Sequence, residues 1–262
     1  MSDSQEWCSK LNIWVTGAGS GIGAALVRFL VEEGHYVIIS GRRREPLLTL
    51  QKASPKRIRV LACDVGQDDS IAEAGALLRE ITDQLDMVIA CAGTCEYDDG
   101  LTLDIKSYRR VFDANFFGVV NTLRESLPLL SNSRKPVFVA VSSLSSVVGF
   151  PRAEAYGASK AAVDYFMQSL RADTANVCLR TVLVRPGFID TPLTQENDFD
   201  MPFLMTAEQA AKRILIGLKG NASVIDFPKR LSWPLRLLGT LSPVWFNLIA
   251  PRMTRIRTLR KV

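Results

Sequence analysis

Residues 16–23 read Thr-Gly-Ala-Gly-Ser-Gly-Ile-Gly and stand directly between an apolar strand-length run at 11–16 and a helical pattern at 24–34. No other segment limits the possible folds as sharply. Gly17 permits a tight turn out of a strand, Gly21 lets backbone approach a pyrophosphate, and Gly23 lets the helix pack close to that strand. Gly19, Ser20 and Ile22 complete the loop, and the helix N-terminus offers free N–H groups and a partial positive charge to an anion. The alternative is a plain glycine-rich turn, and the position between strand one and a helix weighs against it.

The chain continues in the same alternation. Strand-like runs recur at 36–40, 57–63, 85–93, 136–143, 177–187 and 222–227. Helical patterns fall between them at 67–82, 104–130, 155–175 and 206–218. Strands rich in Val, Ile and Leu without alternation are what parallel strands covered on both faces look like. The pattern predicts a doubly wound parallel α/β sheet in a single domain. An apolar fraction of 47% over 262 residues suffices for such a core.

Composition removes several chemistries. The five cysteines form no CxxC pair, and His35 is the only histidine, so zinc sites and His-dependent triads are close to excluded and no metal site is expected. His35 follows Gly34 and reads as a surface residue, whereas Cys63, Cys91 and Cys178 lie in apolar runs and read as core. No run approaches a bilayer span, and the N-terminal residues lack an apolar signal, so a cytoplasmic location is expected. The net charge of +5 is uneven. Residues 228–262 hold eight basic and no acidic side chains, leaving residues 1–227 at −3.

After the second strand the chain reads Ser40-Gly41-Arg42-Arg43-Arg44. A carboxylate there would suit a ribose 2′-hydroxyl, whereas a guanidinium pairs with a 2′-phosphate. Arg42, nearest the strand, favours NADP(H) over NAD(H); the alternative is that the arginines only begin the next helix in solvent.

Ser143, Tyr156 and Lys160 stand thirteen and four residues apart. Together with the glycine turn they resemble the short-chain dehydrogenase/reductase family and its Rossmann-type fold. Asn115 resembles the family's proton-relay asparagine, Asp64 and Val65 its adenine contact, and Pro186, Gly187, Ile189 and Thr191 its nicotinamide segment. The resemblance covers about residues 10–227 and implies a dinucleotide-binding catalytic domain at 1–227, with 228–262 as a basic amphipathic extension. One departure is Ala90-Cys91-Ala92-Gly93, where the family carries two asparagines before Ala92 and Gly93. The family also implies a homo-oligomer paired through the helices near 104–130 and 155–175.

The catalytic logic also stands without the family. Tyr156 and Lys160 share one helix face. A cation ~4 Å from a phenol, at an effective dielectric near 20, is worth about 4 kcal/mol, or about three pK units. On that reasoning Lys160 is expected to pull Tyr156 into working range as a proton donor and acceptor, with Ser143 binding the same substrate oxygen. The implied reaction moves a hydride between nicotinamide and a carbonyl or secondary alcohol. An NAD-dependent alcohol dehydrogenase and a catalytically idle NADP-sensing scaffold are the alternatives.

Residues 192–205 resemble a substrate lid in which Phe199, Met201, Phe203 and Leu204 cover an apolar ligand, with Leu144, Phe150, Pro151 and Phe188 lining the same cleft. Residues 231–262 are expected to form two short helices that cap the cleft or a dimer edge and rest on a membrane surface; packing of the aromatics on the body is the alternative. No nucleic-acid partner is expected, since the extension matches no reading module.

Overall fold

The computed structural model describes residues 10–98, 100–195 and 197–255. Seven parallel strands form one sheet in the order β3-β2-β1-β4-β5-β6-β9. They are β1 (Asn12–Thr16), β2 (Tyr36–Ile39), β3 (Ile58–Val60), β4 (Met87–Ala90), β5 (Val137–Val141), β6 (Arg180–Pro186) and β9 (Val224–Phe227). A separate pair, β7 (Ile189–Asp190) and β8 (Met205–Thr206), stands beyond β6.

Neighbouring strand residues point to opposite faces, so each strand feeds two cores. Ile13, Val15, Ile39 and Val139 pack with α1 (Gly21–Glu32), α2 (Arg44–Ala53) and α7 (Ala207–Lys219). Trp14, Ile38, Val88 and Phe138 pack with α3 (Asp68–Ile81), α5 (Gly118–Leu130) and α6 (Glu154–Asp173). Burial on both faces explains why the strands read as continuous apolar runs. The order reverses between β1 and β4, which opens a crevice at the carboxyl ends of the strands.

Several expectations need correction. The helical region at 104–130 is interrupted: α4 (Ile105–Phe112) passes through a π-helical turn, Asp113–Phe117, into α5. His35 is fully buried, because its Nδ1 accepts the N–H of Leu11 where β1 begins. Burial lowers its pKa, opposed by nearby Glu33. Cys178 is exposed, because β6 starts only at Arg180.

Residues 229–253 form helix α8 (Lys229–Thr240), a short turn α9 (Ser242–Val244), a π-helical stretch (Trp245–Ile249) and α10 (Ala250–Met253). They build a third, small core in which Leu235, Trp245 and Ala250 meet Leu144 and Val148. Residues 256–262, the rest of the expected second helix, lie outside the described residues.

Candidate active site

The turn between β1 and α1 is shaped by contacts that leave no room for a side chain. A Cβ on Gly23 would stand 2.2 Å from the Gly17 carbonyl oxygen, and one on Gly17 (φ +68°) 2.6 Å from the Ala92 nitrogen. Gly21 (φ +52°) lies against the Thr191 methyl group. Ser20 makes no side-chain cap at the start of α1, so the first N–H groups of that helix are left to other acceptors. This turn forms one end of a cavity of about 260 Å³ along the carboxyl ends of the strands.

Every cofactor residue expected from the sequence except Ser40 lines that cavity: Gly17, Gly19, Ser20, Gly21, Ile22, Gly23, Arg42, Asp64, Val65, Ala92, Gly93, Tyr156, Lys160, Pro186, Gly187, Ile189 and Thr191. Ser40 is instead buried, with its hydroxyl accepting the Trp14 indole N–H at 2.9 Å. Arg44 does begin α2, whereas Arg42 and Arg43 are both exposed on the cavity edge. The fit to a dinucleotide is good: bare backbone and uncapped N–H groups at one end, the guanidinium-bearing Arg42 and Arg43 at the rim, and a phenol with an ammonium at the other end.

Of the four expected catalytic residues, three reach the cavity and one stands behind it. Tyr156 is half-buried on α6, and Ser143 lines the cavity beside it. Lys160, one turn on, is buried with its ammonium 5.9 Å from the Tyr156 ring centre, and Nζ donates to the Val141 carbonyl at 3.0 Å. Asn115 does not line the cavity. Its Oδ1 accepts from Thr94 N at 2.7 Å, and Nδ2 donates to Thr94 O and to the Ser159 hydroxyl, each at 2.9 Å. The π-helical turn delivers Asn115 to this position, a common use of such turns.

Burial acts on both members of the Tyr–Lys pair. Burial pushes the Tyr156 phenol up to about 12, only partly offset by Ser143. Burial also pulls Lys160 down to about 8. Both shifts have one cause, burial at the junction, which disfavours the charged form of each group. Four-residue spacing fixes a shared face; it does not keep both groups hydrated.

Beneath the Ser143 loop, Arg185 binds Asp226 at 2.9 and 3.1 Å and Asp164 at 3.3 Å. Asp164 in turn lies 2.6 Å from the Ser146 hydroxyl.

A second cavity, about 470 Å³, meets the first at Ser143, Tyr156 and Gly187. Leu144, Phe150, Pro151, Phe188 and Phe199 line it as expected. Met201 does not line it, and Phe203 and Leu204 are exposed and stay outside it. Sequence reasoning missed Tyr97, Arg152 and Asn197, and did not single out Leu231, Leu235, Met253 and Arg255 within the extension. Asp198 on the lid joins two of them, at 2.8 Å to Arg152 and 2.5 Å to Arg255, and these hydrogen bonds hold its carboxyl down to about 2. Arg152 holds this position in left-handed backbone (φ 68°), a strain that is typical of ligand clamps.

The profile of the short chain dehydrogenase family matches residues 11–201. An uncharacterized oxidoreductase of Myxococcus xanthus is 33% identical over 242 residues, covering 91% of this chain and 96% of that protein. A short chain dehydrogenase of Burkholderia cenocepacia, solved in complex with NADP, is 25% identical with a TM-score of 0.80 over 93% of this chain and 99% of that one. One from Burkholderia phymatum in complex with NAD shares the fold, with a TM-score of 0.81 at 18% identity over 96% of this chain and 99% of that one. The chain belongs to the short-chain dehydrogenase family and is an oxidoreductase with a nicotinamide-binding fold.

Proposed function

We propose that this chain is an NADP(H)-dependent oxidoreductase acting on a carbonyl compound or secondary alcohol with apolar substituents. The observation that carries this reading is the place of Tyr156, at the junction of a glycine-built cavity and an aromatic one. When bound, the nicotinamide supplies or accepts the hydride. Tyr156, protonated at neutral pH, donates its proton to the carbonyl oxygen during reduction, or takes the hydroxyl proton during oxidation. Ser143 hydrogen-bonds the same oxygen as charge builds on it. Lys160 would hold the nicotinamide ribose, and Asn115 fixes the Thr94 segment of the cavity wall. Arg42, with Arg43 beside it, favours a 2′-phosphate, which argues against the NAD-dependent alcohol dehydrogenase reading. Retention of Ser143, Tyr156, Lys160 and Asn115 argues against an idle scaffold.

Residues 1–227 act as the catalytic domain in this reading, and 228–262 as an extension of it. Exposed Phe117 near α5 and Tyr165 on α6 support pairing of copies through those helices, with a homo-oligomer in sedimentation as the expected outcome. Among the described residues no helix is long and apolar enough to cross a membrane; cytoplasmic placement with peripheral membrane contact is part of the proposal. The test is a panel of apolar aldehydes and ketones with NADPH and with NADH. Turnover that prefers NADPH is expected. Turnover with NADH alone contradicts the cofactor assignment, and turnover with neither contradicts the reaction.

A further inference from the structure

The helices that close the second cavity have two different faces. Leu231, Leu235 and Trp245 point inward and wall the cavity. One residue stripe away, Trp233 (73% exposed) and Leu237 (61%) stand four residues apart on the outside of α8, Leu241 follows at its C-cap, and Phe246 and Leu248 beyond it are also exposed. An apolar face of this kind marks an interaction site rather than ordinary surface. Lys229 and Arg230 are exposed in the first turn of α8, where the helix dipole favours acids, so helix stability does not account for them. No acidic residue occurs from 228 to 262.

We propose that this face docks on an anionic lipid bilayer and that the carbonyl substrate is drawn from that bilayer into the cavity beneath. Basic heads beside exposed Trp, Phe and Leu are the composition of a helix that lies in a membrane interface. A second copy of the chain fits the face poorly, because a two-fold contact would bring Lys229 and Arg230 of both copies together with no acid from either extension between them. Met253 both lines the cavity and is exposed, so the cavity reaches the surface beside these helices. The docking stands on this surface alone; only the substrate route rests on the oxidoreductase reading.

Co-sedimentation with vesicles of phosphatidylcholine, and of phosphatidylcholine with phosphatidylglycerol, tests the docking on the full chain. Binding to the anionic vesicles, weakened by salt, is expected. The Lys229→Glu/Arg230→Glu variant should lose at least about fivefold per charge. The Trp233→Ser/Leu237→Ser variant, altered only on the outer face, should lose about tenfold or more. That second variant should reduce a water-soluble carbonyl at the wild-type rate, which also shows that it is folded, yet reduce a vesicle-borne carbonyl more slowly. A full chain that ignores anionic vesicles at low salt overturns the docking, as does dimerisation lost in the Trp233→Ser/Leu237→Ser variant without any lipid binding. Vesicle binding with equal rates on both carbonyls overturns the substrate route. Absence of any carbonyl reduction counts against the reaction proposed above and leaves the docking to the sedimentation result.

Discussion

The two cavities that meet at Tyr156 are built in opposite ways. The first is made of backbone: Gly17, Gly21 and Gly23 at its base, the uncapped end of α1, and the carboxyl ends of parallel strands. Its shape is fixed by the sheet and by glycines whose backbone stands bare on the cavity wall. The second is made of side chains from four separate segments, at 95–97, 143–156, 187–202 and 231–255. Its walls are edge-to-face aromatic pairs, Phe150 with Trp245 at 5.2 Å and Phe188 with Phe199 at 6.0 Å. Backbone geometry suits a ligand shared across a family, whereas side-chain walls change with each substitution and suit a ligand particular to one member.

The difference is broken most severely at Trp245. Its buried indole donates to the Gly149 carbonyl at 2.8 Å, so Trp245→Ala should cost about 3–5 kcal/mol in denaturant unfolding. In the folded fraction, kcat/KM for an apolar carbonyl should fall roughly tenfold or more while NADPH affinity holds. Equal losses on both sides would show that the two cavities are not separable.

Lys160 sharpens the contrast at the junction. Its folded pKa of about 8 lies below the usual 10.5, so between those values the unfolded chain holds a proton that the folded chain has released. The burial penalty therefore acts in full below pH 8 and fades as the pH rises to 10.5. Lys160→Met removes that penalty and one hydrogen bond, and should stabilise the protein by about 1–3 kcal/mol at neutral pH while abolishing turnover. The gain should vanish in urea melts near pH 10.5. A variant destabilised at neutral pH would show that the ammonium is held by more than the Val141 carbonyl.

The smallest effect is expected at the rim of the first cavity. Arg42→Ala should weaken NADPH binding by about 1–3 kcal/mol and leave NADH nearly unchanged, measured by titration calorimetry. Equal losses for both would remove Arg42 from the 2′-phosphate.

The same contrast explains what the sequence made legible. Glycines between a strand and a helix, and a Tyr and a Lys four residues apart, are local patterns with one geometric solution, so the sheet and the first cavity could be read directly. Arg152, Asn197, Met253 and Arg255 carry no local pattern and become neighbours only when lid and extension fold over the sheet. Ser40 and His35 were misjudged because their partners, the Trp14 indole and the Leu11 N–H, are distant in sequence or set by strand ends. The break at Asp113–Phe117 left no mark on the helical period, since one wider backbone turn moves the pattern very little. Four-residue spacing puts Tyr156 and Lys160 on one face of α6, yet their pKa shifts come from desolvation, which spacing does not encode.

The most direct test of the account is Tyr156→Phe, which removes one hydroxyl from the junction of the two cavities. NADPH binding should persist at wild-type affinity, while reduction of any carbonyl accepted by the wild type should fall by about 10²–10⁴. A Tyr156→Phe protein that binds NADPH and turns over at the wild-type rate would contradict the assignment of the proton to this phenol.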